Sequence, residues 1–289
     1  MLFFTLLSRL PLWWLYRISD LLFLFAYYLI GYRKSLVMGN LRRSFPEKTE
    51  AELRRIRKQY YRHLADLIVE TLKVLSLKPD TLHKRFQVKN IEVLKQKLDA
   101  GQSVIVMTSH HCNWEWLSLI TSLHQPYPID AVYQPLSNRF FDRLMLRIRT
   151  HFGAKPVRMQ MILKNILQHK GQARITALLA DQNPFGKEVY WTNFLHQDTC
   201  FFLGGEKIAR KMQFPMVFGG ARKLRRGYYE LYFEDIALPD VQAPEGALIE
   251  LYARKLEAQI QNDPAHWLWT HRRWKRSRET EKKALASDF

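Results

Sequence analysis

The apolar pattern begins with "LPLWWLYRISDLLFLFAYYLIGYRK", apolar and aromatic over a length that spans a bilayer when helical, about 20 residues. Arg17 and Asp20 interrupt it and, three apart, can pair on one helical face; the unbroken run Leu21 to Ile30 is too short to cross alone. The segment predicts a hydrophobic membrane-anchor helix, tilted across the bilayer or lying in the interface. Trp13, Trp14, Tyr16, Tyr27, Tyr28 and Tyr32 gather towards its two ends as in interfacial belts, whereas an aromatic-rich core helix would be the alternative. Arg33, Lys34, Arg42 and Arg43 behind it favour a body on the cytoplasmic side. The lack of a small-residue cleavage site speaks against a removable signal peptide.

From Glu50 to Leu77 apolar residues recur at three and four, a helical stripe whose other face carries Arg54, Arg55, Arg57, Lys58 and Arg62. That basic face suits solvent and anionic headgroups equally. After "KNIEVLKQKLDAG", a short helix closed by Gly101, the pattern alternates. The strand "SVIVMT" precedes the helix "NWEWLSLITSLH", and the strand "IDAVY" precedes the helix "RFFDRLMLRIRTHFG". Next come a helix near Met159 to His169, the strand "RITALLA", a loop over 181–199 and a helix near Gly204 to Met212. The strands "PMVFGGA" and "YYELYFE" and a last helix from about Glu245 to Asn262 complete the series. This alternation predicts an α/β fold with a mixed, largely parallel central sheet covered by helices. The expected organisation is an anchor at 1–35, a catalytic domain at 36–276 and a polar tail at 277–289.

Composition adds charge: 45 Lys and Arg against 27 Asp and Glu give +18, which favours anionic partners such as a membrane surface, an acidic protein or nucleic acid. The apolar anchor makes phosphate-bearing lipid a simpler target than nucleic acid for the basic, Trp-rich "HRRWKRSR". Two cysteines, Cys112 and Cys200, without paired spacing indicate neither a disulfide framework nor a structural zinc module.

The chemistry concentrates in "TSHHCNWEW", Thr108 to Trp116, directly after an apolar strand. On one continuous helix His110 and Glu115 would lie about 140° apart and could not pair. With His110 on the loop leaving the strand and Glu115 in the first turn of the next helix, the carboxylate can curl back and hold the imidazole as a base. Asn113 and Trp114 would shape that turn. His111 and Cys112 are consecutive with His110 and point in divergent directions, and metal-binding spacings are absent, which argues against a metal. A polar core with satisfied histidines is the bland alternative, although strand ends are where α/β sites form. No G-x-S-x-G nucleophile motif occurs, so direct transfer to an acceptor is preferred to a covalent enzyme intermediate.

"SHHCNWEW" resembles the His-x-x-x-x-Asp/Glu motif of glycerolipid acyltransferases, in the H-x-G-N-W-E form of bacterial lipid A biosynthesis acyltransferases. "VYQPLSNRFFDRLMLRIRTHFGA", "LLADQNP", "HWLWTHRRWK" and "NLRRSFPE" are similar to further blocks of that family, so the likeness spans nearly the whole chain. Gln134 stands where the family has Arg, Cys112 where it has Gly, and "DTCFFLGG" where many members have a Thr-rich run.

The resemblance implies a membrane-associated acyltransferase moving a fatty acyl group from an acyl carrier protein or CoA thioester to a hydroxyl of a lipid A precursor. It needs no metal or bound cofactor, and it implies the inner membrane with the catalytic domain facing the cytoplasm. His110 would be the base, Glu115 its orienting partner, and Asn113, Arg149, Asp181 and Arg147 substrate-binding residues. Arg139, Arg143 and Arg147 at four-residue spacing form a basic stripe that would be solvated or would meet phosphates or an acidic carrier. A lysophospholipid or aminoacyl lipid as acceptor, or a basic membrane-tethered binding protein without catalysis, are the alternatives.

Overall fold

The computed structural model describes residues 1–184, 186–237 and 242–278. Near the start Pro11 breaks the apolar segment, so it forms two helices, α1 (Leu2–Arg9) and α2 (Leu12–Leu24), followed by a wide helical turn at Phe25–Ile30. Gly31, at φ +66°, turns the chain through about a right angle into α3 (Lys34–Ser44). The expectation of one anchor helix is thereby corrected. Among the described residues no single helix is long and apolar enough to cross a membrane, and Leu12–Ile30 meets α3 at a bend of 92°. One side of this segment packs on α4 (Glu50–Lys73), burying Leu12, Leu15 and Phe23; the other leaves Trp13, Trp14, Leu21, Phe25, Leu29 and Ile30 exposed.

The stripe read from Glu50 onward is α4, started by a capping box in which Thr49 and Glu52 satisfy each other's backbone N–H groups. Two short elements unread in the sequence follow, α5 (Pro79–Arg85) and β1 (Phe86–Lys89), then α6 (Glu92–Asp99). The central units are β2 (Val104–Thr108), α7 (Trp114–His124), β3 (Ile129–Tyr133), α8 (Arg139–Arg149), the unread β4 (Lys155–Arg158), α9 (Ile162–Gln168) and β5 (Ile175–Leu179). The region read as a loop over 181–199 instead contains most of a hairpin, β6 (Val189–Phe194) and β7 (Gln197–Phe202). The chain closes with α10 (Gly204–Met212), β8 (Met216–Arg225), β9 (Tyr228–Ala237) and α11 (Ala247–Asn262). Most of the tail expected at 277–289 lies outside the described residues.

The sheet runs β1-β9-β8-β2-β5-β3-β4. From β8 to β4 the strands are parallel, and β9 and β1 run the other way at one edge, the mixed, largely parallel α/β sheet expected. Its continuous apolar strands are explained by burial on both faces. Val104 and Val106 join the core made with α6, α7 and α8, while Ile105 and Met107 join that of α10 and α11. The β2–β5 register sets Val104 beside Ile175 and Thr108 beside Leu179.

A buried ion pair ties β3 to the start of β5. Arg174 donates through Nε to Asp130 Oδ2 at 2.5 Å and through Nη2 to Oδ1 at 2.9 Å, with both side chains almost fully enclosed. Removing one partner strands the other charge in the interior. Arg174→Met should therefore lower the unfolding free energy by about 3–5 kcal/mol in urea titration. A loss below about 1 kcal/mol would show that Asp130 finds solvent or a proton at little cost.

Candidate active site

His110 lies two residues beyond the end of β2 and Asp181 two residues beyond the end of β5. Because the strands are parallel with Thr108 beside Leu179, continuing the same register places 110 beside 181. The pairing is carried past the strand ends by Ala180 N–H, which donates to Thr108 O at 3.1 Å. Asp181 then receives His110 Nδ1–H at 2.7 Å on one oxygen and the His110 backbone N–H at 2.9 Å on the other. The Trp267 indole N–H, from the C-terminal "HWLW", adds a third donor at 2.8 Å.

Burial by itself would raise the Asp181 carboxyl, but the His110 ring and backbone and the Trp267 indole outweigh it and hold the group below the usual carboxylate range. An ionised Asp181 accepting from Nδ1 puts the lone pair of His110 on Nε2, the arrangement of a general base. Gln182 donates its side-chain amide N–H to that Nε2 at 3.2 Å, marking where a hydroxyl would donate. Trp114 packs its ring edgewise on the imidazole, centroids 5.3 Å apart.

Glu115 does occupy the first turn of α7, but it does not curl back to His110. Its carboxylate meets Arg149 in a two-pronged contact, Nε to Oε2 at 3.0 Å and Nη2 to Oε1 at 2.8 Å. The reason is charge. A guanidinium fork fits a carboxylate through two parallel bonds, and the imidazole already has its own acid. Burial disfavours the Arg149 cation, and Glu115 more than offsets this, so its pKa is raised.

Asn113 is fully buried outside the cavity. It caps α7 by accepting the Trp116 N–H at 3.2 Å and donates to Glu70 Oε2 at 2.7 Å, a turn-shaping place instead of a substrate contact. Arg147 is exposed on the outer face of α8 and does not line the cavity. His111 and Cys112 are enclosed on the far side of the loop.

A cavity of about 580 Å³ opens at His110 and runs between α7 and the sheet, a size typical of small-molecule sites. Its wall is mostly apolar, from Leu117 of α7 to Val106, Ile129, Leu231 and Phe233 of the sheet, and Ala131, Ala177 and Gly219 leave its floor low. Arg149 is the one Lys or Arg among its described lining residues.

The roles of Gln182, Trp267 and His271 at the site went unread in the sequence. "ADQNP" and "HWLWTH" were visible as blocks, but which side chain meets which depends on contacts between distant segments. His271 Nε2 accepts the Asn183 backbone N–H at 3.0 Å, and burial, with Arg273 nearby, overcomes the pull of Asp181 and pushes its pKa down to about 4. Burial likewise lowers the pKa of His63 and His111.

The unfolded chain, with histidines near pKa 6.5, takes up protons before the native state as pH falls. Stability supplied by these neutral histidines is full above about pH 6.5 and declines towards pH 4. The urea midpoint should fall over that window, and His271→Gln, which keeps an acceptor for Asn183, should make the decline shallower. An unchanged slope would refute a neutral His271.

Comparison with curated proteins returned no match. The family model described as bacterial lipid A biosynthesis acyltransferase matches residues 1–276, almost the whole chain, including the strand-end histidine, the aspartate opposite it and the C-terminal tryptophan that holds that aspartate. The protein belongs to the bacterial lipid A biosynthesis acyltransferase family.

Proposed function

We propose that this acyltransferase moves a fatty acyl chain from a thioester, carried by acyl carrier protein or CoA, directly to a hydroxyl of a lipid A precursor, with His110 as base and Asp181 as its orienting carboxylate. The observation that carries the reading is the His110–Asp181 contact at the mouth of a deep apolar cavity. The acceptor hydroxyl takes the place of the Gln182 amide and gives its proton to Nε2 as its oxygen attacks the thioester carbonyl. The tetrahedral intermediate collapses, the C–S bond breaks, and the imidazolium returns the proton to the leaving thiolate. Arg149, held in one orientation by Glu115, supplies positive charge for the developing oxyanion. No step draws on a metal or a cofactor.

Direct transfer is supported by the placement of Cys112. Its thiol faces away from the cavity, and burial pushes its pKa well above the usual range, so it is no nucleophile. The +18 charge suits an acidic carrier and a phosphorylated acceptor alike. The exposed apolar face of α1, α2 and the following turn suits insertion into one leaflet of the cytoplasmic membrane, lying in the interface. Phe4 of α1 touches Phe140 of α8, ring centroids 5.9 Å apart, which brings that face beside the segment leading to the cavity mouth.

Purified enzyme, acyl-carrier thioester and lipid acceptors of each candidate class, read by mass spectrometry, test the proposal. His110→Ala should lower kcat about 100-fold or more. Asp181→Asn should be comparably slow, and the double variant no slower than His110→Ala, because the two act as a unit. Glu115→Gln should slow transfer further when added to either. Transfer that survives His110→Ala would support a binding protein or another base, and modification only of a lysophospholipid or aminoacyl lipid would replace the acceptor. Ala177→Leu, which raises the cavity floor, should shift preference towards shorter acyl donors in competition assays; an unchanged preference would place the chain elsewhere.

A further inference from the structure

His111, Cys112 and Asp263 converge on the side of the catalytic loop that faces away from the cavity. Cys112 sits at φ +54°, and this left-handed bend turns its thiol back on the preceding imidazole, Sγ 3.2 Å from His111 Nδ1. Consecutive residues diverge in an extended chain, the argument against a metal in the sequence, and the kink removes it. Asp263 arrives from the end of α11, and the donor atoms of the three residues all lie within 4.8 Å of one another.

His111 makes an arrangement that a neutral ring cannot satisfy alone. Its Nε2 lies 3.0 Å from the Asp263 main-chain oxygen and its Nδ1 3.1 Å from the Ala221 main-chain oxygen. Burial favours the neutral imidazole, which carries one N–H. With that proton donated to Asp263 O, the Nδ1 lone pair faces the Ala221 carbonyl and the Cys112 sulfur together. A cation seated among them turns an opposed pair into two ligands. The bond from Nε2–H to a backbone carbonyl is the outer contact that orients metal-binding histidines.

We propose that His111 Nδ1, Cys112 Sγ, the Asp263 carboxylate and the Ala221 carbonyl bind one zinc-class divalent cation, which clamps the catalytic loop to β8 and to the end of α11. The site goes beyond acyl transfer and does not depend on it. Tetrahedral zinc with bonds near 2.0–2.3 Å separates its ligands by about 3.3–3.8 Å; His111 Nδ1 is already near that spacing from Cys112 Sγ at 3.2 Å and from the Ala221 oxygen at 3.1 Å, and the Asp263 carboxylate lies within 4.8 Å of a His111 nitrogen and of the sulfur. Sulfur with imidazole selects a zinc-type ion over magnesium or calcium.

A second cavity, about 920 Å³, borders the site at Asp263, with His266, His63 and Lys223 also on its wall. His266 Nδ1–H donates to Asp263 Oδ1 at 2.5 Å and aims the carboxylate, while the Lys223 ammonium is engaged with His63 and Asp66 at 3.3 and 3.4 Å. Binding replaces the thiol proton, which leaves to buffer, with the metal.

Full-length enzyme stripped with a chelator and titrated with Co²⁺ should take up one equivalent with a thiolate-to-cobalt charge-transfer band, displaced by Zn²⁺. Cys112→Ser should lose the band and Cys200→Ser keep it, each shown folded by near-ultraviolet circular dichroism. Asp263→Asn should weaken binding at least about tenfold. If Cys112→Ser fails to fold, Asp263→Asn and the Zn²⁺-dependent rise of the wild-type unfolding temperature still decide. Absence of the band, its persistence without Cys112, or unchanged affinity in Asp263→Asn would each overturn the site.

Discussion

The parallel register between β2 and β5 is the constraint on which the site rests. It sets Thr108 beside Leu179, and two residues further the same offset of 71 brings the His110 ring to Asp181. A slip of one residue would turn Val104 and Val106 from one core into the other and part the histidine from its acid. The packing of both sheet faces therefore enforces the His110–Asp181 contact. Trp267 adds a lock from the other end of the chain, since its indole bonds the same carboxylate that holds His110.

A second buried carboxylate organises the turn behind the histidine. Glu70 of α4 accepts from Asn113 at 2.7 Å, Tyr229 of β9 at 2.7 Å and Tyr16 of α2 at 2.9 Å. Burial raises its pKa, and Lys223 and the donated hydrogen bonds work against that rise. Three donors from three elements on one enclosed acid make a network in which each member fixes the others. The start of α7, and with it Glu115 and Arg149, is positioned from α4 and β9 as much as from its own sequence.

Much of this was legible beforehand. The apolar strand, a helix starting near Asn113 and the placement of His110 between them follow from periodicity, and the structure has the strand and the helix, the latter from Trp114 with Asn113 as its cap. The partner of His110 was not legible, because Glu115 is near in sequence while Asp181 is near only once two strands have paired. Arg147 and Arg149 are two apart, about 200° around a helix, so one had to face inward; which one depended on the neighbouring core. The hairpin β6–β7 was missed because its turn is made by Leu195 and His196, both at positive φ, in place of the usual Asn-Gly, with Leu195 fully buried and its N–H held by Glu257.

The N-terminal segment reads as a tether, yet its inner side is wired into the catalytic body. Ser19 donates to Asp66 at 2.7 Å, Tyr16 to Glu70 at 2.9 Å, and Lys73 reaches back to the carbonyls of Ser8 and Leu10 at 2.8 and 3.0 Å. A shortened protein that begins at α3, the usual route to better solubility, would strip donors from two enclosed acids and bare the apolar flank of α4 to water. Handling this protein therefore means keeping that apolar end joined to the rest of the fold.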